Sequence, residues 1–315
     1  MSRNKASGQV ECGGHAFGMC GNHQTTNRFG RAFAVGIALN VGFVVLEVFY
    51  GIFAHSLALI ADAGHNMSDV FGLLLAWSAT LLAQTRPTER RTYGLRSSSI
   101  LAALFNAILL LIAVGAIAWE AIHRFATPAA VAGTTVAWVA TVGICINGIT
   151  ALMFMSGRKA DLNIRAAFLH MAADAGVSLG VVIAGLMILA TGQLWIDPVI
   201  SLVIAAVITW GTWGLLRDSV NLALQAVPQG IEVAEVRRYL SSLPHVTEVH
   251  DLHVWPMSTT ETALTAHLVR DVADCDCSLL AQAARELNIK FEIQHATLQF
   301  ETLDHRCHLA PEEMV

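Results

Sequence analysis

The stretch "SLALIADAGHNMSDVFGLLLAW", residues 56–77, sets His65 and Asp69 four residues apart inside a mostly apolar run. A run of about 20 residues with so few charges is typical of a membrane-spanning helix. In a helix, side chains four residues apart lie on one face, one turn from each other. The stretch therefore predicts a membrane helix that presents an imidazole and a carboxylate to the same neighbour.

The same order of residues recurs in "AAFLHMAADAGVSLGVVIAG", where His170 and Asp174 are four residues apart. An ionised Asp at the centre of a membrane helix costs roughly 2.5 to 3.5 kcal/mol on insertion scales. A divalent cation held by two carboxylates and two imidazoles offsets that cost and suits the four-coordinate shell of Zn²⁺. An interhelical hydrogen bond would explain one pair, but two matching pairs favour a metal site of His65, Asp69, His170 and Asp174.

The composition is that of a membrane protein, with 55% hydrophobic and 14% charged residues, against roughly 45 to 50% and 25% in soluble domains. Six apolar segments, each near or above the roughly 20 residues that a lipid bilayer requires, predict an all-α transmembrane domain at residues 29–216. The approximate spans are 29–53, 57–83, 100–122, 135–156, 166–190 and 195–216.

The positive charges between these segments predict the orientation of the chain. The odd-numbered links carry no Lys or Arg apart from Arg124, whereas several arginines and lysines lie on the opposite side. By the positive-inside rule, both termini are then cytoplasmic. The first thirty residues are Gly-rich and polar and do not show a charged start followed by a short apolar segment and a small-residue cleavage site, so we predict no signal peptide. We expect an integral protein of the inner membrane of a bacterium.

Several further polar residues lie within the predicted spans, and most are expected to join helices. They are Asn40, Glu47, Asn66, Ser68, Asn106 and Asn147. Asp62 differs from them because it lies three residues before His65, on nearly the same helix face. Asp62 is therefore a candidate for supporting the metal site or for part of an ion path.

The N-terminal tail, residues 1–28, interleaves Cys12, His15, Cys20 and His23 with glycines. Thiol and imidazole groups of this kind can capture metal, although their spacing does not match a zinc finger, and a disordered leader is the alternative. The six cysteines of the chain form no C-x-x-C pair. Those in cytosolic tails are expected to stay reduced.

Hydropathy falls after Arg217, and residues 217–315 predict a cytoplasmic α+β domain with the element order α-β-β-α-β. The predicted elements are a helix at 231–243, strands at 246–255 and 261–269, a helix at 278–287 and a strand at 291–301. From Ser219 onward there are six Lys and Arg against fourteen Asp and Glu, a net charge of −8. This balance disfavours nucleic acid as a partner and suits a domain that meets cations.

The strands of this domain carry four histidines, namely His250, His253, His267 and His295. Strand alternation places His250 and His253 on opposite faces. The C-terminal tail adds His305, Cys307 and His308. Together these residues indicate one or more metal sites, against the alternative of ordinary surface histidines.

Over nearly its whole length the chain resembles the cation diffusion facilitator family, in its zinc-exporting branch. The resemblance rests on "SLALIADAGHNMSD", "YGLRSSSILAALFNA", "AAFLHMAADAGVSLG", "WIDPVISLVIAAVI" and "VHDLHVW". It implies a homodimer of six-span subunits, with metallochaperone-like cytoplasmic domains, that exports divalent metal in exchange for protons. It also implies that the two H-x-x-x-D motifs form the transport site, and that His250, His267 and His295 belong to a cytoplasmic binuclear site.

These observations favour a proton-coupled exporter, not an enzyme, that works by alternating access with Zn²⁺ as cargo. Two imidazoles argue against Mn²⁺ or Mg²⁺, whereas Co²⁺, Cd²⁺ and Ni²⁺ stay open as preferred ions. A metallohydrolase is disfavoured because four protein ligands leave no open coordination position and no H-E-x-x-H motif is present. The other alternative is a membrane-anchored metal sensor, although an anchor would not need buried carboxylates.

Overall fold

A computed structural model describes residues 23–53, 57–126, 134–193, 195–272 and 277–303, together with Cys307. Six long helices come first: α1 (His23–Phe53), α2 (Leu57–Ala83), α3 (Ser98–Ala126), α4 (Thr134–Phe154), α5 (Leu162–Thr191) and α6 (Ile196–Ala223). Shorter elements follow: α7 (Val233–Ser241), β1 (Val246–Pro256), β2 (Thr262–Arg270), α8 (Cys277–Phe291) and β3 (His295–Thr302). The fold class predicted from the sequence is confirmed.

Several of the long helices have the length and apolar character that membrane spanning requires. Within the described part of the chain, three stretches are long and apolar enough to cross a bilayer, namely Gly30–Tyr50, Ser98–Phe125 and Pro198–Ala223. Two shorter apolar helical stretches are Asp69–Ala83 and Thr141–Phe154. Large apolar side chains stay exposed on these helices, such as Trp210 on α6 at 87%. An exposed apolar surface of this kind suits contact with lipid.

The long helices share an apolar core. α4 packs along α5, and α6 contacts both α3 and α5. Phe33 of α1, Leu73 of α2, Phe154 of α4 and Met171 of α5 are almost completely buried in one cluster, and the ring centroids of Phe33 and Phe154 lie 4.8 Å apart. Because Met171 directly follows His170, this close-packed cluster fixes the part of α5 that carries the predicted ligands.

The chain divides into two compact units. The first consists of Asn27–Ile231 together with Val254–Ala263, and the second includes Glu232–His253 and the residues that follow Ala263. The domain boundaries inferred from the sequence, at residues 28/29 and 216/217, stay predictions. In the small sheet the strand order is β1-β2-β3, and α8 packs against both β3 and α7.

The last helix is longer than the sequence predicted. α8 continues to Phe291, whereas we expected the helix to end at residue 287 and a strand to begin at residue 291. Glu292 has a left-handed φ of 55°, and its N–H donates to the carbonyl of Asn288 at 3.1 Å. This is a C-terminal cap of the αL type. Strand β3 therefore starts later, at His295.

The turn before α3 depends on Gly94, which has φ of +71° and would place a Cβ atom 2.8 Å from the carbonyl oxygen of Thr85. We expect Gly94→Ala to lower the free energy of unfolding by about 1 to 3 kcal/mol, because both the backbone conformation and the contact become unfavourable. Thermal unfolding of the full chain in detergent measures the change. The control is Gly115→Ala in α3, where a Cβ atom has no neighbour within 4 Å. If Gly94→Ala and the unsubstituted chain unfold at the same temperature, the predicted backbone strain is contradicted.

Candidate metal centres

The first cluster of possible metal ligands joins two membrane helices. His170 and Asp174 lie one turn apart on α5, and Asp69 lies on α2. His170 Nε2 is 2.7 Å from Asp69 Oδ1 and 3.8 Å from Asp174 Oδ2. One ligand atom from each residue falls within 4.8 Å of the others. The structure thus brings together three of the four residues that the sequence predicted for one site.

The cluster is shielded from solvent, because Asp69 is only 2% exposed and His170 only 9%. Asp69 Oδ2 and His170 Nδ1 have no hydrogen-bond partner among the described residues. Buried polar atoms are ordinarily paired, so these atoms leave positions for another binding group. With bonds of about 2.0 Å, the donor atoms of a tetrahedral Zn²⁺ shell stand about 3.3 Å apart. The separations of His170 Nε2 from Asp69 Oδ1, 2.7 Å, and from Asp174 Oδ2, 3.8 Å, lie on either side of that value. The donor atoms therefore fit a divalent cation.

His65 and Asp62 lie on α2, but their side chains are outside the described part of the structure. The helix is continuous from Leu57 to Ala83, so the backbone of His65 lies one turn before Asp69, on the same face. His65 as the fourth ligand, and Asp62 as a supporting residue, stay predictions.

A buried carboxylate holds α2 against α1 beside the cluster. Asn66 Nδ2 donates to Glu47, at 2.9 Å from Oε1 and 2.8 Å from Oε2. Glu47 is completely buried. Asn66 stands between His65 and Asp69 in the sequence, so this contact restrains the segment of α2 that carries both. The prediction that polar residues within the spans join helices is confirmed for this pair.

A second cluster lies on the small sheet. His250 Nε2 of β1 is 3.1 Å from Glu301 Oε2 of β3, and His267 Nδ1 of β2 is 2.7 Å from Glu301 Oε1. Although burial opposes the change, hydrogen bonds from the N–H of Cys307 and from His250 lower the pKa of the Glu301 carboxyl. The carboxylate is therefore charged at neutral pH. Together with two imidazoles it forms a donor set that suits a divalent transition metal.

Glu301 was not predicted from the sequence, where His295 was expected in its place. His295 begins β3 and is exposed, and Glu301 lies six residues further, about 20 Å along an extended strand. The structure does not bring His295 into the cluster. One feature of the sequence could have indicated Glu301. Residues 295 and 301 are an even number of positions apart, so they lie on the same face of the strand. The remaining candidates, Cys12, His15, Cys20, His305 and His308, lie outside the described residues, as does the side chain of His23.

The prediction that His250 and His253 lie on opposite faces of β1 is wrong. Asp251 between them has a left-handed φ of 50°, and the buried positions on either side of it are three residues apart instead of two. One extra residue shifts the alternation, as a β-bulge does. His253 therefore lies on the same side as His250, where Asp251 is 2.9 Å from His253 Nε2 and 3.5 Å from His267 Nε2.

Comparison with known proteins gives matches along most of the chain. Residues 33–222 match the family model described as the cation efflux transmembrane domain, and residues 228–303 match the cation efflux protein, cytoplasmic domain. The metal cation efflux system protein CzcD of Cupriavidus metallidurans is 36% identical over 86% of each chain. The zinc transporter ZitB of Escherichia coli is 36% identical over 91% of this chain and 92% of its own.

A third relative has a name that states both cargo and exchange. The cadmium, cobalt and zinc/H(+)-K(+) antiporter of Bacillus subtilis is 32% identical to the chain. The match covers 86% of this chain and 88% of that relative. All three similar proteins therefore match along nearly their whole length, and the similarity extends over both the helices and the small sheet.

We expect Glu301→Gln to weaken Zn²⁺ binding at the sheet by at least about tenfold, because it removes the negative charge of the carboxylate whose two oxygens contact the two imidazoles. The full chain is titrated by calorimetry in an Asp69→Ala background, which suppresses binding at the membrane cluster. The matched control is His295→Ala, at the other end of β3, which should bind as the background does. Weaker binding in His295→Ala, with Glu301→Gln unaffected, would contradict this assignment.

Proposed function

The chain belongs to the cation efflux family, and on that premise we propose that it exports divalent metal ions from the cytoplasm in exchange for protons, with Zn²⁺ as the preferred cargo. The family is the cation diffusion facilitator family that the sequence resembles, and the resemblance is confirmed by the match over residues 33–222. Because this is a family of transporters, the prediction that the chain is not an enzyme is confirmed as well.

The buried cluster of Asp69, His170 and Asp174 is the observation that carries the proposal. A carboxylate with 2% exposure inside an apolar helix bundle is unfavourable unless a cation or a proton neutralises it. Imidazole and carboxylate donors at these distances suit Zn²⁺. We propose that His65 completes a four-coordinate shell. Such a shell binds a cargo ion and leaves no open position for catalysis.

Competition between protons and metal ions for the same atoms supports the exchange. Metal binds neutral imidazole and ionised carboxylate, so its binding releases protons. Free imidazole titrates near a pH of roughly 6.5. A more acidic exterior therefore favours release of the metal, and the neutral cytoplasm favours its binding. Alternating exposure of the cluster to the two sides would couple inward protons to outward metal, and the name of the Bacillus subtilis relative is consistent with this coupling.

We further propose that the protein is a homodimer in the inner membrane of a bacterium, with both termini in the cytoplasm. The positive-inside distribution supports this orientation, as does the match of residues 228–303 to a family cytoplasmic domain. The sheet cluster of His250, His267 and Glu301 then meets cytosolic metal and regulates transport without carrying cargo. A sensor that uses the helices only as an anchor leaves the buried carboxylates unexplained.

We expect Asp69→Ala or Asp174→Ala to reduce Zn²⁺ transport at least about tenfold, because each removes a charged ligand from a closed shell. Zn²⁺ uptake into proteoliposomes, followed with an internal fluorescent indicator, measures the effect. The matched control is Glu120→Ala, since Glu120 forms an exposed i,i+4 pair with Arg124 worth about 0.3 to 0.5 kcal/mol. This control should transport normally. Normal uptake by Asp69→Ala would favour the sensor function instead.

We expect an imposed pH gradient, acidic on the side to which metal is delivered, to accelerate Zn²⁺ flux through the unsubstituted protein. The reason is that protonation of the shared ligands lowers metal affinity on the acidic side. Flux and internal pH are recorded together in proteoliposomes with two dyes. Collapsing the gradient with a protonophore should remove the acceleration. Zn²⁺ flux that ignores the gradient and moves no protons would contradict antiport and indicate a uniporter.

A further inference from the structure

The turn that joins β1 to β2, residues 257–261, is not part of either metal cluster. It is closed by two backbone hydrogen bonds, because the N–H groups of Met257 and Ser258 donate to the carbonyl of Glu261 at 2.8 and 3.2 Å. Met257 and Ser258 are each only 5% exposed. The compact unit of the long helices includes Val254–Ala263. The turn therefore packs with the helices, although the strands that it joins form the small sheet.

The turn contacts the start of α3. Arg96 Nη1, just before the helix, is 2.9 Å from Glu261 Oε2, and the two side chains are only 20% and 30% exposed. The N–H of Thr259 donates to Ser99 Oγ at 3.1 Å, and Ser99 is 3% exposed. A buried polar group that loses its partner costs more than an exposed one. These contacts therefore fix the turn against the first residues of α3.

A further contact of the turn reaches α5, the helix that carries His170. The hydroxyl of Thr259 donates to Asp161 Oδ1 at 3.0 Å. Asp161 is the N-cap of α5, because the same oxygen accepts from the N–H of Asn163 at 2.8 Å and its carbonyl accepts from the N–H of Arg165 at 2.9 Å. Thr259 thus contacts the residue at which α5 begins, about 13 Å along the helix axis from His170.

From these contacts we propose that the turn at residues 257–261 transmits metal binding at the sheet to α5, with Thr259 as the positioning residue. The inference rests on the function proposed above, in which the sheet cluster regulates transport. Thr259 is suited to this role because its N–H binds the start of α3 and its hydroxyl binds the cap of α5. A change in the turn therefore acts on both helices at their first residues.

The two strands connect the turn to the sheet cluster. β1 carries His250 and ends at the turn, and β2 begins at the turn and carries His267. An ion that binds both imidazoles and Glu301 restrains β1 against β2, because its ligands take up a fixed geometry. A helix carries a displacement of its first turn along its length, and shifts of about 1 to 2 Å are typical of such switches. Since His170 contacts Asp69 at 2.7 Å, a shift of this size alters the membrane cluster.

Three substitutions in the turn test the transmission. Thr259→Val removes the hydroxyl that binds Asp161, whereas Thr259→Ser retains a hydroxyl and should behave as the unsubstituted chain does. Thr260→Val is the matched control, because Thr260 is exposed and its hydroxyl lies 3.4 Å from Ser258 Oγ within the turn. Each chain is reconstituted in proteoliposomes with and without Glu301→Gln. The measured quantity is the Zn²⁺ concentration that gives half-maximal flux.

We expect Glu301→Gln to change this concentration by at least about fivefold in the unsubstituted chain, in Thr259→Ser and in Thr260→Val, but by less than about twofold in Thr259→Val. A merely structural role of Thr259 would leave the response to Glu301→Gln intact. An equal response in Thr259→Val and Thr260→Val would therefore overturn the proposal. So would the absence of a response in the unsubstituted chain, whereas absence of any Zn²⁺ flux there would overturn the proposed function.

Hydrogen exchange tests the same step without a substitution in the turn. In an Asp69→Ala background, which suppresses binding at the membrane cluster, Zn²⁺ binds at the sheet of the full chain in detergent. Zn²⁺ should then slow amide exchange at residues 161–165, followed by mass spectrometry, because the restrained turn holds the cap of α5 more firmly. Glu301→Gln should abolish this slowing. Exchange at residues 161–165 that Zn²⁺ does not slow would overturn the proposal even if Thr259→Val fails to fold.

Discussion

The central constraint on the structure is that the helix bundle must hold carboxylates in an apolar interior. Asp69 is almost completely buried and contacts His170 at 2.7 Å, in surroundings where water cannot compensate either group. Electrostatic interactions are strengthened at such low polarity, so the separation between the groups must be held closely. Two features of the fold do so. Met171 anchors α5 in the apolar core next to His170, and the hydrogen bond from Asn66 to Glu47 anchors α2 next to Asp69.

Close approach of the helices follows from small residues at their contacts. In membrane bundles, association relies on packing and interhelical hydrogen bonds, because lipid is as apolar as the side chains it would replace. Gly36 of α1 lies where a Cβ atom would come within 2.8 Å of Thr150 on α4, and Gly143 of α4 lies where it would come within 2.9 Å of Phe43 on α1. α1 and α4 can therefore approach this closely only because Gly36 and Gly143 have no side chains. At Gly72 of α2 a Cβ atom would lie 3.2 Å from Asn106 Oδ1 on α3, so these two helices also approach closely beside the cluster.

The sequence alone could predict the parts of the molecule that follow from local periodicity. Hydropathy located the six long helices, and repetition of H-x-x-x-D identified Asp69, His170 and Asp174, because i,i+4 spacing fixes a helix face regardless of distant partners. The sheet cluster was less predictable, since which residue of β3 meets His267 depends on strand register, and period-two alternation leaves His295 and Glu301 equivalent. The change in side-chain alternation at Asp251 could not be predicted for another reason. A left-handed residue in a strand is usually glycine, so an Asp at this position does not indicate a bulge.

The two clusters differ in the hydrogen bonds that a metal ion must displace. This difference fits the separate roles proposed for them, regulation at the sheet and transport in the membrane. Both oxygens of Glu301 already accept hydrogen bonds, Oε2 from the N–H of Cys307 and Oε1 from Gln299, each at 3.0 Å. An ion at the sheet must compete with these donors, which weakens its binding and suits reversible response to cytosolic metal. In the membrane cluster, an ion must displace the contact between His170 Nε2 and Asp69 Oδ1, but Asp69 Oδ2 has no donor among the described residues and is open to the ion. On the proposed function, Asp69 Oδ2 is thus already placed to bind a cation, and a competing proton or a change in helix packing would release that cation.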